Sequence, residues 1–180
     1  FDDMFANGAS IVGLWRVFTE LGGRPGSHMF VGSWASGDFQ FIDNPWPPAP
    51  DLGQIVSPPQ TGSWSLLYIL EQQLWADGCN PKRNVGLLGQ WGYSDPETNV
   101  YECVGNVSLQ ANGMLRGREA DSMGIGWFYS GLSSDVKNGL SPLLELRDLT
   151  GVEAYYNAAI TPWFHLTADM QVVEPGIRNT

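Results

Sequence analysis

The sequence predicts an all-β chain: an antiparallel transmembrane β-barrel, with about eight strands in these residues. Three observations carry that expectation. Segments alternating between two kinds of side chain recur between turn signals, and a strand sends successive side chains to opposite faces. The segments run to roughly 10–12 residues, where globular strands average about 5–6 and a tilted bilayer crossing needs about 9–11. Charged residues make up only 16% of the chain, while aromatics reach 12% with 8 Trp, a balance suited to either a large recognition surface or a membrane interface belt. No run of about 18 apolar residues exists, so no transmembrane helix is expected.

The clearest alternation is Gly151 to Pro175. Two runs flank Thr161-Pro162-Trp163 and read as a hairpin. Pairing them across a three-residue loop, Pro162 to Phe164, sorts Glu153, Tyr155, Asn157 and Thr161 with His165, Asp169 and Gln171. Ala154, Tyr156, Ala158 and Ile160 then fall with Leu166, Ala168, Met170 and Val172 on the other face. A shift of one residue would mix the faces.

Earlier in the chain, Ser10–Glu20 and Ser27–Ser36 form a second hairpin around Gly22-Gly23-Arg24-Pro25-Gly26. Its faces are blurred, with Arg16 and Glu20 on the more polar one. Phe39 to Thr61 carries six prolines and cannot be a central strand, because proline lacks the ladder N–H; Trp46 within it reads as a loop-packing anchor. Ser63 to Trp75 is the clearest single strand. Trp64, Leu66, Tyr68, Leu70 and Leu74 oppose Ser65, Glu71 and Gln73, with Leu67 and Ile69 diluting the polar side. After the turn Asp77–Arg83, Val85, Leu87, Trp91 and Tyr93 oppose Gln90 and Ser94. Beyond Asp95–Asn99, Tyr101, Cys103, Val107 and Leu109 oppose Asn106, Ser108 and Gln110. The connector Asn112–Glu119 precedes Met123, Ile125, Trp127 and Tyr129, opposed by Ser122, Gly124 and Gly126, and Ser130 to Asp148 reads as a second long loop. The two longest connectors, after Phe39 and after Ser130, fall at alternate positions, as in barrels with short turns on one side of the membrane and longer loops on the other. Asp95–Asn99 is then a short loop on the long-loop side.

With 19 acidic against 9 basic residues the net charge is −10, which argues against nucleic acid as a partner, since phosphate binding needs a basic patch. The histidines are His28 and His165 only; their spacing suggests no metal cluster, and no cofactor or catalytic constellation is expected. Cys79 in a turn and Cys103 in a strand, level with about Trp91, fall on the order of 20 Å apart by strand rise, too far for a disulfide. Arg118 and Asp121 read as a salt bridge tying down the turn before Met123.

Several stretches resemble the carbohydrate-selective porins, the family named for the glucose-inducible outer-membrane porin of pseudomonads. They are GSWASGDF (Gly32–Phe39), SWSLLYILEQQLW (Ser63–Trp75), NVGLLGQWGYSDPETN (Asn84–Asn99), LRGREADSMGIG (Leu115–Gly126) and AYYNAAITPWFHLTADMQVVEPG (Ala154–Gly176). Their order and spacing carry the resemblance more than any single segment. It implies a bacterial outer-membrane barrel of about 16 antiparallel strands with a polar lumen, passing sugars down their gradient, in contact with outer-membrane lipid. Relatives that pass ions are also implied, and a homotrimer is the expectation from porins in general. The chain opens at Phe1 and ends in a polar tail at Arg178-Asn179-Thr180. Residues 1–180 are therefore expected to be a single domain, a partial barrel lacking its N-terminal half and last strand. The pore lining inferred from the polar faces is Arg16, Glu20, Glu71, Gln73, Gln90, Asn106, Ser108, Gln110, Glu153, Tyr155, Asn157, His165, Asp169 and Gln171.

Two other readings of the residues stay open here. In a soluble β-sandwich or lectin-like carbohydrate-binding module, the apolar face would pack on a second sheet. In a small outer-membrane barrel closed by eight strands alone, side chains would fill the interior.

Overall fold

A computed structural model describes residues 8–39, 60–140 and 145–177. Eight strands form one sheet, each hydrogen-bonded to the next in sequence and all antiparallel. They are β1 (Ser10–Leu21), β2 (Arg24–Phe39), β3 (Gln60–Ala76), β4 (Asn84–Ser94), β5 (Tyr101–Asn112), β6 (Ser122–Leu132), β7 (Leu149–Thr161) and β8 (Phe164–Glu174). The shortest has 11 residues and the longest 17, so each is long enough to cross a bilayer at a tilt. Trp46 lies outside the described residues.

Turn chemistry sets the two ends of the sheet. At one end, β1 and β2 are joined by Gly22-Gly23, both at positive φ (58° and 75°). Positive φ at both central residues matches the twist of a two-residue hairpin turn and is costly for residues with a Cβ. The β3–β4 turn at the same end is built by Asp77. It accepts the Cys79 N–H at 2.9 Å and pairs with Arg83 at 2.9 Å, and these contacts hold its carboxyl below the usual range.

The opposite end carries the two longest connectors, β2–β3 and β6–β7, together with the short β4–β5 one. Between β6 and β7 the chain forms a helix of about two turns, α1 (Ser134–Leu140), where sequence periodicity indicates only loop. Ser133 caps it, its Oγ accepting the Val136 N–H at 3.2 Å. Lys137 of α1 reaches Asp148 at 2.6 Å, and Asp148 also accepts from the Tyr129 hydroxyl and the Leu132 N–H. Burial alone would raise the Asp148 carboxyl, but Lys137, Tyr129 and Leu132 together leave it lowered.

The last hairpin differs from its expected register. Its turn has two residues, Pro162 and Trp163, with Thr161 opposite Phe164 and Ala159 opposite His165. A bulge at Ile160 supplies one more step of offset. The shift from the shorter turn and the shift from the bulge add to two, and two preserves the faces because the side-chain period is two. Glu153 therefore pairs with Gln171, Tyr155 with Asp169 and Asn157 with Thr167. Cys103 similarly stands opposite Tyr93 rather than Trp91, and both cysteines are free.

A bulge between Gln73 and Trp75 has a second effect. Simple alternation would put Trp75 with Glu71 and Gln73. The bulge pairs it with Val85 instead, on the side of Trp64, Leu66, Tyr68 and Leu70.

The apolar face of this sheet is bare. Among the described residues Val136 is the one buried hydrophobic side chain, whereas Trp15, Leu66, Ile125, Leu166 and Met170 are 57–68% exposed. Four rings run side by side across it: Trp15–Phe30, Phe30–Tyr68 and Tyr68–Trp91, with centroids 5.7, 4.9 and 6.0 Å apart. Trp34, Trp64 and Tyr93 stand nearer the long-connector end, and Trp75, Trp163 and Phe164 at the short-turn end. From Trp64 to Trp75 the strand spans roughly 36 Å, or about 28 Å of membrane normal at ~40° tilt. That is close to the height of the apolar band between the aromatic girdles of an outer-membrane barrel.

Candidate functional site: the polar face of the sheet

Following the register across the sheet puts the sequence-inferred lining residues on the face opposite those rings. One transverse row reads Gln73, Gly86, Gln110, Gly124, Tyr155 and Asp169. The next reads Phe18, Ser27, Glu71, Leu88, Ser108, Gly126, Glu153 and Gln171, and a third begins Arg16, Met29, Ile69, Gln90, Asn106 and Phe128. Glu20, Asn157 and His165 have the same parity toward the short-turn end. Alternation within each strand put these side chains on one face, and hydrogen-bonded registry makes the eight strand faces one surface.

Two clusters stand out. On β1–β3 the Arg16 guanidinium meets Glu71 at 2.6 Å and donates to Ser27 Oγ at 2.9 Å, while Ser27 Oγ donates to Glu71 at 3.0 Å. The guanidinium also lies 5.1 Å from the Phe18 ring centroid. Arg16 and Glu71 are 41% and 50% exposed, so water screens the pair and its net contribution to stability is under about 1 kcal/mol. They border a groove of about 390 Å³ that runs past Gln73 to Gln110 and Asn112. Glu20 shares this face, as the sequence reading has it, but stands farther down the strand and takes no part in the cluster.

On β7–β8, Gln171 donates to Glu153 at 2.7 Å, His165 and Asn157 meet at 3.0 Å, and Asn157 donates to Thr167 at 2.7 Å. A chain of amides, Gln110 to Asn112 to Asn84, runs along the short-turn end of β4–β5. Five charged side chains occupy the inferred lining, Arg16 against Glu20, Glu71, Glu153 and Asp169, so the face is net negative.

A family model for carbohydrate-selective porins of the OprB family matches residues 12–179. The chain belongs to that family. A solved structure of the Pseudomonas putida porin OprB at high pH superposes with a TM-score of 0.82 at 19% identity. The match covers 94% of this chain and 44% of that one, so this porin sequence spans less than half the length of the structure it matches. At that identity the likeness establishes the fold, a porin β-barrel. No curated protein matches the sequence.

Within this porin wall, the lining inferred from the sequence left out two kinds of residue. Ser27, at the start of the second predicted strand, and Asn84, just after the predicted Asp77–Arg83 turn, did not enter the inferred lining, though each shares the parity of its polar neighbours. Phe18 and Phe128 sit on the polar face and look apolar in isolation. Met29, Val31, Leu67 and Ile69 also fall there, so the polar wall is concentrated toward the short-turn half. The Arg118–Asp121 pair is present at 2.7 Å. Asp121 is buried at 4% exposure and ties the β5–β6 turn to β7. It also accepts the Tyr156 hydroxyl and the Ala159 N–H. Burial pushes its carboxyl up, but the Tyr156, Ala159 and Arg118 contacts outweigh that and hold it low.

Proposed function

We propose that these eight strands are part of the wall of a water-filled bacterial outer-membrane barrel through which sugars diffuse passively. The observation that carries the reading is the shared register: Arg16, Glu71, Gln90, Asn106, Ser108, Gln110, Glu153, Tyr155, Asp169 and Gln171 form one continuous face, while the opposite face is apolar and belted by aromatics. In hydrocarbon every backbone N–H and C=O must be paired, so the free edges of β1 and β8 require further strands to close the wall. Lipid meets the apolar face. On the polar face, carboxylates, amides and the Arg16 guanidinium exchange hydrogen bonds with sugar hydroxyls as the hydration shell is partly shed. No bond is broken in transit, and the direction of flow is set by the concentration gradient alone.

Arg16 and Glu71 border the groove on β1–β4, and Glu20 lies on the same face closer to the turn, so these three set what passes along that stretch. The test is a triple alanine variant at Arg16, Glu20 and Glu71 in the complete barrel protein, measured by planar-bilayer conductance and by liposome swelling in sugar. Altered conductance and altered sugar flux are expected. Unchanged values in both assays would remove these residues from the permeation path. Recovery of the complete protein as a water-soluble monomer without detergent would overturn the porin reading itself.

A further inference from the structure

We propose that Phe128 and Tyr155 are two stacking platforms for pyranose rings, forming a short sugar track on the β6–β7 wall. The inference rests on the permeation reading above and names the substrate-contacting groups within it.

Each ring reaches sideways over a glycine of the neighbouring strand. A Cβ added at Gly151 would fall 2.5 Å from Phe128 Cζ, and one added at Gly124 would fall 2.5 Å from Tyr155 Cε1. The glycines clear the space the rings occupy, and Gly151 is buried as a result. Both rings are half-buried: backbone covers one side and the polar face of the sheet lies on the other. An aromatic ring in this position is laid along the wall and leaves the passage open beside it.

The groups around the two rings fit a sugar. Pyranoses have an apolar C–H face bounded by hydroxyls, and aromatic rings take up the first while carboxylates and amides take up the second. Phe128 has Asn106 as its cross-strand neighbour. Tyr155 has Asp169 as its cross-strand neighbour on β8, with Gln110 beyond Gly124. Between the platforms lies the row Gly126, Glu153, Gln171, with Gln171 donating to Glu153 at 2.7 Å. Gly126 adds no side chain there. Gly151 and Tyr155 are four positions apart on β7, about 13 Å, so a sugar leaving one ring passes the Glu153–Gln171 pair before meeting the next. The charged groups in this strip are Glu153 and Asp169, which favours neutral sugars over phosphorylated or carboxylated ones.

The probe is glucose, read as sugar-induced block of ion current through the complete barrel in planar bilayers. Phe128→Leu and Tyr155→Leu keep an apolar cover over Gly151 and Gly124 but lose the flat π face; Tyr155→Phe keeps it. Each Leu variant is expected to raise the half-blocking glucose concentration roughly 3- to 10-fold, the equivalent of one lost stacking contact. Tyr155→Phe is expected to stay within about twofold of the parent. All three variants should still form open channels and keep heat-modifiable gel mobility, which separates a platform from a merely structural cover. Either Leu variant suffices if the other fails to fold. Leu variants that conduct ions and bind glucose like the parent would overturn the platforms and leave the porin reading intact. A parent protein that forms no conducting channel would overturn both.

Discussion

Replacing Val107 by arginine, and in a second variant replacing Ser108 by arginine, separates the two faces at a single depth. Both residues lie near the middle of β5, six and seven positions after Tyr101 and five and four before Asn112. At ~3.4 Å per residue and ~40° tilt, Val107 is about 15 Å below the upper end of the strand and about 13 Å above the lower, near the bilayer midplane. Its register partners are Gly89 and Trp127 on the apolar face; those of Ser108 are Leu88 and Gly126 on the polar one. An arginine on the lipid face at midplane costs about 2–4 kcal/mol, and one directed into water within about 1 kcal/mol. Val107→Arg should therefore lower the folded-to-unfolded ratio by about 30-fold or more, and Ser108→Arg by about fivefold at most. Urea unfolding of the complete barrel from lipid vesicles, followed by tryptophan fluorescence, measures both, since the segment carries 8 Trp. Equal losses in the two variants, or a larger loss for Ser108→Arg, would refute the assignment of faces.

Two further predictions concern single side chains. Asp121→Asn keeps the shape of the anchor between the β5–β6 turn and β7 but removes the charge paired with Arg118, and it should lower the unfolding midpoint at pH 7. Because the Asp121 carboxyl is held below its ordinary value, its stabilisation is complete above the unfolded pKa near 3.8 and disappears as pH falls through the lower folded value; the parent and variant curves should converge in that acidic window. Convergence already at neutral pH would show that the carboxylate does not hold the turn. A membrane-impermeant maleimide should label Cys79, exposed in the β3–β4 turn, while Cys103 on the apolar face of β5 stays unlabelled until the protein is unfolded. Equal labelling of both in intact proteoliposomes would place Cys103 in water.

What could be read before the structure depended on how local the signal was. Ser63 to Trp75 and Gly151 to Pro175 showed their faces because alternation needs only neighbours along the chain. The parity of Glu153, Tyr155, Asp169 and Gln171 was legible for the same reason, even though the pairing was two residues off. The Ile160 bulge was not legible, since a bulge is fixed by the partner strand and the twist of the pair. The bulge before Trp75 hid that residue's face likewise. Phe128 was missed because a phenylalanine on a strand reads as apolar wherever it points; only the register of β6 against β5 and β7 puts it beside Asn106. Ser133 as a cap for α1 was present in the sequence, but a helix of about two turns has too few residues for a periodic signal. Glu20 shared a face with Arg16 and Glu71, yet shared parity does not bring residues together along the strand.

The most direct test of the two-faced wall is a nitroxide scan along β5, with single labels from Cys103 to Ala111 in the complete barrel reconstituted in lipid vesicles. Collision with molecular oxygen, which partitions into lipid, should peak at Cys103, Gly105, Val107, Leu109 and Ala111. Collision with a polar nickel chelate should peak at Val104, Asn106, Ser108 and Gln110. Two profiles out of phase with a period of two residues are the predicted result. Uniform accessibility to the chelate on both faces, or uniform protection from it, would contradict the account.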